Sequence, residues 1–438
     1  MSDTASLRDT LYKKLVGEHP GSGAQEFIKH LGVIGFSFAA AKIISGVVAI
    51  AAGRLLGPEE YGRINVMASA GAAIAPFMLA GLQYSVVRYG VSPEKRSHVF
   101  SSALAAVAAL TALVAGLALF FSGPLAAIFH IDSGMLYFSL GYAASTAAFL
   151  LTSGMQQALS RFSRRGFGEI CFSLTLAAVF GLGLLYLGRV YQVMAWAYIA
   201  AFGGTALFWL YRTLKEVKLA GFSGETFSSM SEYGFYNFGA SLGGVLLLNV
   251  QGLVVNAALT PAETGVYAAY YTAAINIGGY LAYALATVLF PKASAAPDRR
   301  RLWDLAVRGW LRAGPAVILI FVLVQCAVLS LMGRHQYGLD PLLIALFSVV
   351  GSLTLLWTTL GNIILAEGVN ASRMQLFLSL GAGLLNFLAC VALVPALGVK
   401  GVPIAFIIAY SAMIGGLWLV KDSYLPPKAD KTNGAPRP

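Results

Sequence analysis

Leu56-Gly-Pro-Glu-Glu-Tyr-Gly62 closes one long apolar segment and opens the next, and 203 residues later Leu259-Thr-Pro-Ala-Glu-Thr-Gly265 does the same. A second echo pairs Gln192-Val-Met-Ala-Trp-Ala-Tyr198 with Gly401-Val-Pro-Ile-Ala-Phe-Ile407, and then Trp209 with Trp418, at an offset of 209. Two echoes at nearly one spacing mark an internal duplication. A duplicated set of apolar segments is a plan that transporters use, with the binding site between the repeats.

The segments themselves are membrane-sized. Of 438 residues, 58% are hydrophobic and 11% charged, and the mean hydropathy is +0.73, which leaves more apolar surface than a water-soluble domain can bury. Crossing a hydrocarbon layer roughly 30 Å thick takes about 20 helical residues. Twelve runs qualify, at 30–53, 64–87, 99–121, 134–155, 170–187, 193–210, 235–258, 266–290, 313–331, 341–366, 375–395 and 402–419. The expected fold is an all-α polytopic membrane protein of about 12 transmembrane helices in two pseudo-symmetric six-helix lobes, 1–216 and 217–438. The first run follows a polar stretch and is too long for a cleaved signal peptide. Ahead of it, Leu7, Leu11 and Leu15 fit either a short interfacial helix or a basic tail, and residues 426–438 read as disordered.

The net charge of +11 would suggest nucleic acid in a soluble protein, but here it gives orientation. Segments on the amino-terminal side of the membrane hold 24 Lys and Arg, the opposite side holds 5, and Lys42 lies within a span. Both termini are therefore expected in the cytoplasm, and no nucleic-acid partner is implied. Arg161, Arg164 and Arg165 fit orientation and contact with anionic membrane lipids.

Hydrolytic and nucleotide motifs are missing, and no two of the five histidines stand at ligand spacing. Cys171, Cys326 and Cys390 all fall in spans and read as buried small residues. Nothing calls for a metal or a cofactor, and with short loops the chain is not expected to be an enzyme. The 19 acidic residues lie in tails, in loops or at span ends, as do Asp132, Glu169, Glu232 and Glu367, with none placed at mid-membrane. Glu60 and Glu263, equivalent across the repeat, fit either helix caps or ion coupling.

Lys42 is the opposite case. It lies 13 residues from Lys29 and 12 from Arg54, too deep for its side chain to reach water easily. A lysine there costs on the order of 2.5–3.5 kcal/mol. Ala39, Lys42, Ser45, Gly46 and Ala49 share one helical face, which suits a hydrated cleft; pairing of the lysine with a carbonyl or close helix packing would also produce it. The seventh span carries Ser241, Asn249, Gly252 and Asn256 within about 80° of arc, fitting either that cleft or interhelical hydrogen bonding. The eighth adds Asn276, Tyr280 and Tyr283 on one face, with Tyr267, Tyr270 and Tyr271 as either an aromatic belt or sugar-stacking rings. Arg88 ends the second span and suits either an interfacial anchor or a contact for an entering phosphate. The candidate substrate-binding set is Lys42, Ser45, Arg88, Asn249, Asn256, Asn276 and Tyr280.

Arg54-Leu-Leu-Gly-Pro-Glu-Glu-Tyr-Gly62, followed by a helix through Gly81 to Val-Val-Arg88-Tyr, resembles the opening of the Wzx-type polysaccharide-export flippases of the multidrug/oligosaccharidyl-lipid/polysaccharide exporter superfamily. Ser231-Glu-Tyr-Gly234, Leu259 to Tyr267, Leu289-Phe-Pro-Lys292, Leu385-Asn-Phe387 and Val399 to Phe406 resemble later landmarks of that family, so the match spans nearly the whole chain. The resemblance implies two lobes in a V and a cationic central cavity working by alternating access. It also implies a cargo such as an O-antigen oligosaccharide on undecaprenyl diphosphate, and a place in the bacterial cytoplasmic membrane beside a polysaccharide polymerase and other export components. The chain departs from many relatives at Gln251-Gly252, where they carry an acidic-basic pair, so ion coupling assigned to that pair does not transfer. An ion-coupled drug or metabolite antiporter of the same superfamily is the alternative.

Overall fold

The computed structural model describes residues 22–276, 278–282, 285–286, 289, 293, 298–367 and 369–425, with backbone alone at 22–36, 162, 369 and 372. The expectations for Leu7 to Leu15, for Tyr283 and Lys292 and for 426–438 fall outside these residues.

Helices and the short links between them account for nearly all of the described chain. In order they are α1 (Ser22–Leu79), α2 (Leu82–Tyr89), α3 (Pro93–Phe120), α4 (Ser122–Phe129), α5 (Ser133–Ala158), α6 (Phe162–Tyr186) and α7 (Tyr191–Glu216) in the first half. The second half has α8 (Gly224–Leu248), α9 (Gln251–Ala258), α10 (Pro261–Tyr271), a π turn (Thr272–Asn276), α11 (Arg299–Tyr337), α12 (Pro341–Leu365), α13 (Val369–Leu397), a 3-10 turn (Gly398–Lys400) and α14 (Gly401–Tyr424). Among the described residues eight helical runs are long and apolar enough to cross a membrane, nine counting the bent pair α8–α9. Two of the eight hold more than one crossing: α1 contains the first expected span and most of the second, and the α13–α14 run contains the last two.

Both copies of the opening motif are helix restarts. In α1 the break is at Gly57, whose φ of 82° belongs to the left-handed region glycine tolerates, and Pro58 follows as a first-turn residue that needs no donor. At the second copy Leu259 is extended and Thr260 caps α10, with Pro261 in its first turn. The Thr260 hydroxyl accepts from the Glu263 amide while the Glu263 carboxylate accepts from the Thr260 amide, a reciprocal cap. Glu60 serves a different helix, accepting from the Tyr191 amide at the start of α7 (2.6 Å). The duplication also shows in two caps not singled out from the sequence: Asp132 Oδ1 accepts from Met135 N to open α5, and Asp340 Oδ1 accepts from Leu342 N to open α12, each at 2.8 Å.

Packing runs both within each half of the sequence and between the halves, the latter most extensively where α1 lies on α10. In the first, α1 lies on α5, α6 and α7, and Met78, Leu82, Phe100, Leu151 and Met155 form a core with α2 and α3. In the second, α8 packs on α13, and Trp303, Leu360, Ile363 and Leu417 form a separate core among α11, α12 and α14. A third core joins the halves, drawing Tyr61, Ile64 and Met67 together with Tyr267, Tyr270 and Phe347. Lipid gives helices little hydrophobic reason to associate, so such contacts work by close packing and by hydrogen bonds between helices.

Candidate functional site

Lys42 sits where the halves face each other. Its Nζ lies 5.2 Å from the centre of the Tyr280 ring, which comes from the second half, so the ammonium rests over an aromatic face. Behind it α1 is fixed to α6: the Ser173 hydroxyl donates to the Ala41 carbonyl (2.8 Å) and lies 3.1 Å from Ser45 Oγ. Ser45 therefore joins two helices of one half rather than lining the space between the halves.

Glu169 changes the expected placement of acids. Helix α6 begins at Phe162, earlier than the apolar run that marks it in the sequence, which puts Glu169 about 10 Å along the helix. It is buried, and the charges of Lys42 and Arg165 act on it. Hydropathy conceals this because Ser163, Arg164 and Arg165 extend the helix without extending the apolar window. No carboxylate oxygen among the described residues lies within 4.0 Å of Lys42 Nζ. The cation is thus drawn toward an acid but not neutralised by a contact pair.

Further along α1, toward the Pro58 and Pro261 turns, is a polar cavity of about 180 Å³. Tyr61, Asn65 and Ser69 line it from α1, Tyr142 and Tyr198 from α5 and α7, and Asn249, Tyr271, Thr272 and Asn276 from the second half. Asn249 and Asn276 of the expected set meet here. Tyr61 and Thr272 close one side with hydroxyls 3.0 Å apart, and the buried Asn65 Oδ1 has no hydrogen-bond partner among the described residues. The sequence reading passed over Tyr61, Asn65 and Ser69, although their spacing of four is that of one helical face.

The chain bends by 41° between α8 and α9, which frees carbonyls that lipid cannot satisfy. Neutral side chains take them up. Gln251 Nε2 donates to Leu246 O and Leu247 O at 2.9 and 2.8 Å, Asn386 Nδ2 to Leu247 O at 2.9 Å and the Tyr271 hydroxyl to Leu248 O at 2.6 Å.

The remaining expected residues lie apart from this centre. Asn256 Nδ2 donates to the His130 carbonyl (2.8 Å), near the Pro58–Pro261 end. Arg88 is at the opposite end, its guanidinium 4.5 Å from the centre of the Tyr233 ring. Tyr267, Tyr270 and Tyr271 are all buried rather than forming an exposed aromatic belt; Tyr267 and Tyr271 line the polar cavity, and the Tyr270 hydroxyl links Gly338 O to Asp340 N. Arg161 and Arg164, read for orientation and lipid contact, share Glu216.

At the Pro58–Pro261 end the halves are closed on each other. The Tyr337 hydroxyl donates to Gly53 O at 2.6 Å, and the turn of each repeat packs against the turn of the other.

The long apolar helices, folded into a polar centre between the two halves, define a multi-pass membrane protein. Its fold is similar to that of a MATE-family multidrug resistance transporter of the MOP superfamily in the inward-facing conformation (TM-score 0.68, 17% identity, 92% of this chain and 99% of that one). It is also similar to the lipid II flippase MurJ in the inward closed conformation (TM-score 0.70, 13% identity, 88% and 87%) and to a MOP-superfamily transporter from Pyrococcus furiosus (TM-score 0.57, 18% identity, 90% and 94%). No curated protein sequence matches. Residues 51–336 match the polysaccharide biosynthesis protein family, and the chain belongs to that family.

Proposed function

We propose that the protein is a flippase. It moves an oligosaccharide carried on a polyprenyl diphosphate, undecaprenyl diphosphate in bacteria, from the cytoplasmic to the outer leaflet of the cytoplasmic membrane by alternating access. The observation that carries this reading is Lys42: an ammonium deep in the span, over Tyr280 of the other half, with no carboxylate in contact among the described residues. A diphosphate cannot cross hydrocarbon unaided, because each unpaired polar group costs several kcal/mol. A cation in a hydrated cleft lowers that barrier while the polyprenyl tail stays in lipid. The hydroxyl and amide lining of the neighbouring cavity suits sugar hydroxyls, and at about 180 Å³ that cavity must widen to admit more than a small part of an oligosaccharide.

The halves 1–216 and 217–438 rock as two lobes about the contacts at their ends, with the Arg88 end facing the cytoplasm as the lysine and arginine bias requires. Similarity to a lipid II flippase and membership of a polysaccharide biosynthesis family support this substrate class. A polysaccharide polymerase is a fitting partner, and the chain performs no chemistry of its own.

Replacing Lys42 by Ala at matched expression is expected to lower surface polysaccharide export at least about tenfold, the effect of one charge-assisted contact, while Lys42→Arg keeps part of it. Wild-type export by Lys42→Ala would reject the role. A second reading, an ion-coupled antiporter, is favoured by the buried Glu169 beside Lys42 and Arg165. Proton-driven efflux of an organic cation from vesicles, abolished by Glu169→Gln, would establish that reading instead.

A further inference from the structure

At the end opposite the paired turns, a second cavity of about 340 Å³ opens between the last turn of α2, the middle turns of α8 and the start of α13. Arg88, Tyr89, Glu232, Tyr233, Tyr236, Asn237 and Arg373 line it. The Ser85 hydroxyl donates to the Met230 carbonyl (2.7 Å), clamping α2 onto α8. That clamp sets the Arg88 guanidinium 4.5 Å from the Tyr233 ring centre and 5.6 Å from that of Tyr89, while Arg373 lies 5.9 Å from that of Tyr236.

Both arginines lack an acid partner among the described residues, as Arg96, Arg165 and Arg212 at this end also do, but only Arg88 and Arg373 share a cavity. At the same end of the bundle Arg161 and Arg164 hold Glu216, Arg299 holds Glu367 and Arg300 holds Asp422. Neither Arg88 nor Arg373 has a carboxylate within 4.0 Å among the described residues, although Glu232 lines the same cavity. Among the described residues each keeps its donor fork free, and the ring beneath restricts its motion without using a donor. Two such forks, one from each half of the chain, suit the oxygens of a phosphorylated group, which guanidinium binds bidentately. The surface beside them is apolar: Phe235, next to Tyr236, is 71% exposed and Phe377, one turn from Arg373, is 70% exposed.

We propose that this cavity is a loading site for the phosphorylated headgroup of a polyprenyl lipid, bound by Arg88 and Arg373 while its tail lies along the apolar surface by Phe235 and Phe377. The inference rests on the flippase reading and adds a site separate from Lys42. A headgroup entering from the cytoplasmic leaflet is held here first and then passes along α1 to the central cation. Because the two arginines come from different halves, a bound phosphate also bridges the halves at this end.

The test uses the full chain, purified and placed in nanodiscs of neutral lipid, with farnesyl diphosphate and inorganic diphosphate as separate probes. Arg88→Ala and Arg373→Ala are each expected to weaken farnesyl diphosphate binding at least about tenfold, with Lys215→Ala, a cation remote from the cavity, binding as wild type. Arg88→Lys and Arg373→Lys, which keep charge but lose the fork, should recover only part of the affinity, and elution profile and melting temperature check that each variant is folded. Wild-type affinity in both Ala variants overturns the site. Inorganic diphosphate binding as tightly as farnesyl diphosphate overturns the lipid assignment and leaves a site for a free anion. Normal export by Lys42→Ala would defeat the central-site reading without affecting these binding results, so the two failures are distinguishable.

Discussion

Gly62 and Gly265 are partners in a contact that each half makes with the other in the same way. A Cβ on Gly62 would lie 2.5 Å from the Pro261 carbonyl oxygen, and one on Gly265 would overlap the Pro58 carbonyl. Residues 58 and 261 are equivalent across the repeat, as are 62 and 265, so the contact has the reciprocal form of a twofold interface inside one chain. Neither turn has room for a side chain, which explains why glycine ends both motifs.

That contact must separate whenever the cavity opens at this end. Gly62→Ala is expected to destabilise the closed arrangement by about 1–3 kcal/mol, the usual cost of overpacking, shifting the population roughly 5- to 150-fold toward the open form. With Cys171, Cys326 and Cys390 replaced, Asn65→Cys in the cavity reports the shift. A membrane-impermeant thiol reagent added to whole cells should label it several-fold faster in the Gly62→Ala background. Equal labelling rates would show that the glycine contact does not hold the gate.

Tyr280 supplies the ring beneath Lys42, and the ring rather than the hydroxyl does this. A cation–π contact contributes about 0.5–2 kcal/mol, so Tyr280→Leu should reduce export roughly 2- to 30-fold, whereas Tyr280→Phe should stay near wild type. Dose-matched export measurements on the pair decide the matter. A Phe variant as impaired as the Leu variant would assign the function to the hydroxyl.

Much of the fold was legible because hydropathy and repetition are independent signals that agree at Leu56–Gly62 and Leu259–Gly265. Helix breaks away from such motifs were not legible. Asn249–Val250 lies inside an unbroken apolar run, and Ala80–Gly81, where α1 gives way to α2, lies inside another. Glu169 lies further inside its helix than the apolar run suggests, since a helix continues through polar residues that a hydropathy window excludes. Within the site, Lys42 and Tyr280 meet across 238 positions of sequence, and each was singled out on its own helix. Arg373 was read only as a topology signal, because nothing local to it announces Arg88 across the cavity. Ser45 and Asn256 share a helical face with cavity residues but turn to neighbours that periodicity does not reveal.

Gln251 stands where an ion pair was looked for, and it satisfies two carbonyls at the helix bend with one amide. Gln251→Leu keeps similar bulk but leaves Leu246 O unsatisfied and Leu247 O with Asn386 alone. The expected loss is about 1–3 kcal/mol, visible as a lowered melting temperature in detergent. Gln251→Glu should be worse than Leu, because a carboxylate cannot donate to those carbonyls unless it takes up a proton. If Gln251→Leu melts with the wild type, the bend is held by other contacts.

Asp340 links three segments at the Pro58–Pro261 end, pairing with Lys400 at 3.0 Å and accepting from the Leu342 and Leu343 amides. The Lys400 ammonium first, and then those amides, hold its carboxyl below the usual carboxylate range. A group depressed in the folded state stabilises the fold above its unfolded value of about 3.9 and loses that contribution as pH falls through its folded value. Asp340→Asn keeps a capping oxygen but removes the charge, so it should melt below the wild type at pH 7, and the gap should narrow as pH falls below about 3.9 and close once pH is below the folded value. Lys400→Met should lower the melting temperature in the same pH window and add little to Asp340→Asn in the double variant. A gap that persists unchanged at pH 3 would mean that shape, not charge, accounts for what Asp340 contributes.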